Sequence, residues 1–152
     1  MRILRPRRTA GHQTERRTGA AMVETALVLP IMMMVILGIV EFGRAFMVCQ
    51  LLTNASREGG RAAVIPGSTS PQVTADVQTL VANTVGVDTT EVTVGITVTP
   101  YAGGNPHSDL SLAQKRDLCD IRVVVAYDAV SFVPTRWLTG VNLTGQTAMR
   151  HE

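Results

Sequence analysis

An uninterrupted apolar run dominates the N-terminal part of the chain. Between Arg17 and Glu41 the only ionisable side chain is that of Glu24. The stretch from Ala20 to Val40 is long enough to cross a hydrocarbon core of about 30 Å at about 1.5 Å per residue. The run therefore predicts a membrane-spanning helix. A buried helix of a soluble protein is the alternative, and the charges that flank the run favour the membrane.

The helical pattern continues beyond the apolar run. Apolar side chains recur at spacings of three and four residues, at positions 42, 45, 49, 52 and 55, which keeps one helix face apolar. We expect the helix to reach Val64, with Gly59-Gly60 weakening its end and Pro66 stopping it. Pro30 removes one backbone hydrogen bond and is expected to bend the helix.

Two opposite-charge pairs lie on this continuation of the helix. Glu41 and Arg44 are three positions apart, as are Glu58 and Arg61. Such pairs are typical of a solvated helix face and add about 0.2–0.5 kcal/mol each. We therefore expect both pairs to be exposed.

A second helix and a set of strands are predicted after Pro66. Ser70 followed by proline predicts the cap and first turn of a helix. The valines and leucine at positions 73, 77, 80 and 81 form one face of this helix, and Gly86 ends it. Strict alternation with β-branched residues predicts strands over 92–99 and 119–128, and a third, less regular strand over 143–150. The connection from Pro100 to Leu118 is expected to be a long exposed loop.

This order of elements predicts an α+β fold. A long membrane-spanning helix continues as a spine, which packs with the second helix on a small antiparallel sheet. The predicted organisation is a basic cytoplasmic leader over 1–19, the helix and its continuation over 20–64, and a small extracytoplasmic domain over 65–152. The proline-broken stretch 131–140 either packs on the sheet or contacts the membrane surface or another subunit.

Charge is distributed unevenly along the chain. Residues 1–18 carry six arginines and one glutamate, for a net charge of +5, whereas residues 19–152 carry 8 basic and 11 acidic side chains, for −3. The basic flank is expected to stay in the cytoplasm and the remainder to lie outside. Because the remainder is mildly acidic, we expect no nucleic-acid partner.

Gly19 and Glu24 mark the start of the apolar run. A carboxylate in a spanning segment costs about 2.5–3.5 kcal/mol at the centre of the membrane, so Glu24 either reaches the headgroup region or has a functional partner. Glycine followed by four mostly apolar residues and glutamate resembles a type IV prepilin cleavage region. The resemblance implies cleavage between Gly19 and Ala20 and an assembly role for the carboxylate of Glu24. Removal as a conventional secretory signal is the less favoured alternative, because the run is long and no small-x-small site follows it.

The resemblance extends well beyond the cleavage region. The segments 19–24, 26–30, 37–46 and 52–63 agree in order and spacing with the TadE-like family, and the C-terminal 148–152 is similar to the ends of many members. These proteins are minor pilins or pseudopilins of tight-adherence (Flp, type IVb) pilus systems. The resemblance implies a subunit in the cytoplasmic membrane that acts in pilus assembly or adhesion. Its implied partners are a prepilin peptidase, other pilins, the inner-membrane assembly platform and membrane lipid. An uncleaved single-pass envelope protein with an outer ligand- or receptor-binding domain is the alternative.

No catalytic, cofactor or metal site is predicted. The sequence has no phosphate-binding loop, no nucleophile elbow and no zinc-protease motif. Its three histidines have no second ligand at metal spacing, and His107 is expected in a polar loop. We therefore expect a protein that is not an enzyme.

The two cysteines, Cys49 and Cys119, are far apart in the sequence. Both are expected outside the cytoplasm, where oxidising conditions permit a disulfide. A bond between Cys49 and Cys119 would join the helical spine to a strand, and two buried free thiols are the alternative.

Overall fold

The computed structural model describes residues 12–131 and 138–151. They fall into two compact units, one up to Val40 and one from Glu41 onward. Helix α1, His12–Ala63, contributes to both units and contains Pro30. The predicted long helix is thus confirmed, although it begins earlier than Ala20.

The part of α1 in the first unit has an apolar surface. Its large side chains are exposed, including those of Leu27, Ile31 and Ile39 at 69%, 66% and 68%. Within the described residues, the stretch beginning at Gly19 is long and apolar enough to cross a membrane and is not buried by the protein. It is therefore compatible with a membrane anchor.

The second unit is a layer of helices on a three-stranded antiparallel sheet of order β1-β2-β3. The strands are β1, Val92–Thr99, β2, Leu118–Ala126, and β3, Asn142–Arg150. Val92 lies opposite Val125 in the first ladder, and Leu118 lies opposite Arg150 in the second. These bounds agree with the three predicted strands to within a residue or two, and the predicted α+β class is confirmed.

One face of the sheet forms the core with α1. Side chains alternate in burial along β2, so Cys119, Ile121, Val123 and Val125 are fully buried while Arg122 is exposed. On α1 the buried apolar residues lie at spacings of three, four and eight; they are Ala45, Val48, Leu52, Ala55 and Ala63. Phe42, which the sequence pattern placed on the apolar face, is 48% exposed.

Glycines allow the helix and the sheet to approach closely. A Cβ on Gly145 in β3 would overlap the backbone of Leu52 and Thr53. A Cβ on Gly59 would lie 2.6 Å from a methyl group of Val77, and one on Gly60 would lie 3.1 Å from a methyl group of Thr147. Gly59 and Gly60 therefore allow α1 to pack closely against the helix that contains Val77 and against β3, a role that the sequence pattern did not indicate.

Helix α2, Ser70–Val81, buries Val73, Val77 and Val81 and passes into a π-helical turn, Ala82–Gly86. Thr69 occupies the cap position, so the predicted cap at Ser70 is wrong by one residue. The hydroxyl of Ser70 instead donates to the carbonyl of Ser108 and accepts from the amide of Leu110, at 2.7 and 2.9 Å. Ser70 thus fixes the loop after β1 to the start of α2.

The connection from Pro100 to Leu118 is more ordered than predicted. A short 3₁₀ helix, Leu110–Leu112, inserts Leu110 into the core, and its exposure is only 3%. His107 pairs with Val98 through two backbone hydrogen bonds of 2.7 and 3.0 Å. After β2 the chain forms a short helix α3, Tyr127–Val130, and most of the stretch 131–140 lies outside the described residues.

Candidate functional site

Gly19 and Ala20 are exposed and lie within α1. A Cβ on Gly19 would have no atom within 4 Å among the described residues. Glycine in a helix interior costs about 1 kcal/mol relative to alanine, and here packing gives no reason for it. Gly43 is equally uncrowded, so the feature that distinguishes Gly19 is its position before the apolar run and five positions before Glu24.

Glu24 is exposed on the same helix. No hydrogen bond or ion pair engages its carboxylate within the described residues. The neighbouring hydroxyl of Thr25 donates back to the carbonyl of Ala21 at 2.9 Å, so that side chain is satisfied within its own helix. A carboxylate on an apolar helix surface is costly in a membrane unless it meets a donor or cation, and such a partner has to come from outside the described part of the chain.

Glu41, which directly follows the apolar run in sequence, is buried. Its side chain is 1% exposed and accepts a hydrogen bond from the hydroxyl of Tyr127, which is also 1% exposed. The guanidinium of Arg44 donates to the carbonyl of Val130. The prediction that Glu41 and Arg44 lie on a solvated helix face is therefore wrong, because both side chains fix α3 to α1. The other predicted pair is confirmed, since Glu58 and Arg61 lie 3.7 Å apart with their side chains exposed.

The sequence contains one signal for the burial of Glu41. The pattern of α1 shows Glu41 in phase with the core positions Ala45, Val48 and Leu52, at intervals of four, three and four. That phase was the available signal. It was outweighed by the ordinary preference of a charged residue for solvent.

Cys49 and Cys119 are separate thiols in the structure, half-buried and buried respectively. The bridge remains a sequence-based prediction. Mass spectrometry after alkylation without reduction tests it.

Burial raises the pKa of the Cys119 thiol, and the charge of Asp117 adds to the rise. The thiol therefore stays protonated and unreactive near neutral pH. Among the residues that the structure describes, no group of three histidine, cysteine or carboxylate side chains is placed to hold a metal ion.

These features define a class of protein: an α+β domain whose core includes a helix that also carries an apolar surface long enough to cross a membrane. Within that class, residues 19–61 match the family model for TadE-like proteins, which confirms the resemblance noted from the sequence. The match includes Gly19, Glu24, Glu41 and the Gly59-Gly60 pair. It suggests a protein associated with the tight-adherence pilus and with other components of that pilus. No curated protein and no solved structure matches the chain.

Proposed function

We propose that this protein is a minor pilin or pseudopilin subunit of a tight-adherence type IVb pilus. A prepilin peptidase removes residues 1–19, and the processed chain acts in pilus assembly or adhesion from the cytoplasmic membrane. Its role is structural rather than catalytic. The observation that carries the proposal is the family match. The matched residues 19–61 contain the cleavage motif, the apolar run of α1 and the part of α1 that packs in the core of the domain.

The proposed cleavage gives the carboxylate of Glu24 a partner. Cutting after Gly19 creates an α-ammonium group on Ala20 at the edge of the membrane. In an assembly of helices, Glu24 of one subunit pairs with that ammonium on its neighbour. The pair offsets the cost of placing each charge alone in an apolar setting. Glu24 is exposed and unengaged within the described residues, which leaves its carboxylate available for this contact.

The outer domain supplies a rigid body for display or contact. The buried contact of Glu41 with Tyr127 and the bond from Arg44 to Val130 join α1 to α3. The close packing of Gly145 on Leu52 joins α1 to β3. The part of α1 after the apolar run is therefore a fixed element of that domain rather than a linker.

Replacement of Glu24 tests the assembly step. We expect Glu24→Ala to reduce recovery of the protein with other pilus components, in a pull-down from membranes of cells that express the pilus system, to about a tenth of wild type or less. Thr25→Ala is the matched control, because its hydroxyl bonds only within its own helix. Unchanged recovery of Glu24→Ala would show that the carboxylate has no such partner.

The alternative is an uncleaved single-pass envelope protein with an outer binding domain. It requires the basic segment to remain attached, whereas the favoured function requires an N-terminus at Ala20. The N-terminus of the protein extracted from membranes therefore distinguishes the two.

A further inference from the structure

Arg116 has an unusual backbone conformation. Its φ is 79°, and it is the one non-glycine residue with a positive φ among the described residues. It lies third in a tight turn that the amide of Asp117 closes by donating to the carbonyl of Gln114 at 3.0 Å. Glycine or asparagine is the usual residue at such a position. An arginine kept there at the cost of backbone strain points to a use for its side chain.

The guanidinium of Arg116 stacks on an exposed aromatic ring. Its central carbon lies 4.1 Å from the centroid of the Tyr101 ring, and that of Arg150 lies 5.9 Å from the same centroid. Neither guanidinium has a carboxylate partner within the described part of the chain. Two like charges are thus held near each other around the ring of Tyr101, a residue that is 56% exposed.

A buried carboxylate fixes this arrangement from behind. Asp117 is 4% exposed and accepts from the backbone amides of Tyr101 and Gln114 at 2.9 and 2.8 Å. The backbone of His151 donates to the carbonyl of Asp117 and accepts from the amide of Arg116, both at 2.8 Å. The ends of β1 and β3 and the turn before β2 are therefore tied together, which fixes the backbone that carries Tyr101, Arg116 and Arg150.

We propose that Arg116, Arg150 and Tyr101 form a binding site for a phosphate group. A guanidinium group donates two parallel hydrogen bonds to the oxygens of a phosphate, which is bidentate binding. Contact with the Tyr101 ring restricts each guanidinium in the free protein, so less conformational entropy is lost when phosphate binds. Lys115 adds a third positive charge beside Arg116 in the sequence. The carboxylate of Asp117 is turned inward onto two amides, so among the described residues the exposed side of the cluster is cationic.

The surroundings make this cluster distinctive. Residues 19–152 carry a net charge of −3, so two arginines around one aromatic ring form a local concentration of positive charge. The imidazoles of His107 and His151 contribute to the lowered pKa of Asp117. Each imidazole has a buried Nδ1 without a hydrogen-bond partner among the described residues. The site is at the end of the sheet, away from the Glu41–Tyr127 contact, and it does not depend on cleavage at Gly19.

A binding experiment with the full chain tests the site. The chain is embedded in nanodiscs of neutral phosphatidylcholine and titrated with inorganic polyphosphate and, separately, with phosphatidylglycerol vesicles. We expect Arg116→Gly and Arg150→Gln each to weaken binding about tenfold. Arg122→Gln is the matched control, since Arg122 is an exposed arginine on β2, and it should change binding less than about twofold. All variants keep the basic N-terminal segment, so a double variant with Arg116→Gly and Arg150→Gln measures the binding that this segment contributes, and that binding is subtracted.

The stability of the same variants separates binding from folding. Because glycine adopts the backbone conformation of residue 116 without strain, Arg116→Gly should unfold at a temperature no lower than wild type while it binds phosphate less well. Binding to vesicles alone would identify a lipid headgroup as the source of the phosphate, and binding to polyphosphate alone would identify a soluble ligand. Wild-type binding no stronger than that of the double variant for both probes, or equal losses in Arg116→Gly and Arg122→Gln, would overturn the proposal.

Discussion

At the scale of single residues, the buried contact between Glu41 and Tyr127 joins two distant parts of the domain. A carboxylate at 1% exposure is tolerated only where hydrogen bonds replace the water it has lost. The hydroxyl of Tyr127 supplies one such bond from α3. The pair therefore joins the part of α1 that follows the apolar run to the segment that connects β2 with β3.

Removing the hydroxyl tests this contact. We expect Tyr127→Phe to lower the free energy of unfolding by about 2 kcal/mol, because a buried hydrogen bond to a carboxylate is lost while the ring remains. Glu41→Gln should cost less, since the amide oxygen still accepts from the hydroxyl. Urea unfolding of the full chain in detergent micelles measures both. A Tyr127→Phe variant as stable as wild type would show that the contact does not hold the domain together.

The pH dependence of stability depends on a second buried carboxylate. Backbone hydrogen bonds from Tyr101 and then from Gln114 hold the pKa of Asp117 below its usual value. A lowered pKa in the folded state contributes stability that is present above the unfolded pKa and is lost as pH falls through the folded pKa. Asp117→Asn should therefore be less stable at pH 7 and should lose less stability on acidification below about pH 4.

Unfolding midpoints at pH 7 and at acidic pH test this expectation. The pKa values of Asp88 and Asp109 are also lowered, by hydrogen bonds from Thr90 and Ser111 respectively, and both residues are unchanged in the variant. The difference between the two proteins thus isolates Asp117. Parallel loss of stability in wild type and Asp117→Asn would contradict the assignment.

Burial at single positions was the hardest property to predict from the sequence. Glu41 and Asp117 are buried carboxylates, because groups from distant segments donate hydrogen bonds to them. Local pattern contains no information about such partners. The positive φ of the exposed Arg116 was equally hidden in the sequence. Gly19 and Glu24 could be identified because their signal is local, a glycine and a carboxylate at a fixed interval before an apolar run.

At the scale of elements, hydrophobic periodicity predicted the helices and strands well. The strand over 92–99 has the predicted bounds, and α1 ends at Ala63, one residue before the predicted end. The internal order of the loop after β1 was missed, because it rests on single contacts such as those of Ser70 and Leu110. The role of Gly59 and Gly60 was also missed, since a glycine that admits a neighbouring side chain looks the same in sequence as one that weakens a helix.

Two glycines in the outer strands of the sheet give a matched test of the packing. Gly145→Ala should lower the free energy of unfolding by about 3 kcal/mol, because its Cβ would overlap the backbone of α1. Gly95→Ala should be neutral or slightly stabilising, since its Cβ would meet only the carbonyl of Arg122 at 3.8 Å. Urea unfolding of the full chain compares them. Equal effects would contradict the close contact between β3 and α1.

At the scale of the whole molecule, the net charge of +2 is the sum of two segments of opposite charge. Residues 1–18 carry +5 and residues 19–152 carry −3. If the chain is cut after Gly19, the mature protein is a mildly acidic chain that runs from Ala20 to Glu152. Its N-terminal helix is apolar, and the core of its α+β domain includes the continuation of the same helix. The basic segment then serves to set the orientation in the membrane and is discarded.

Cleavage is therefore the most direct test of the proposed function. The protein is extracted from membranes of cells with and without an active prepilin peptidase, and its intact mass is measured together with those of Gly19→Val and Gly43→Val. A valine at position 19 places a branched side chain where the peptidase needs bare backbone, whereas Gly43 is an equally uncrowded helical glycine. We predict that wild type and Gly43→Val begin at Ala20 only when the peptidase is active, and that Gly19→Val keeps residues 1–19. A wild-type protein that retains residues 1–19 in the presence of the active peptidase would contradict the proposal and favour the uncleaved envelope protein.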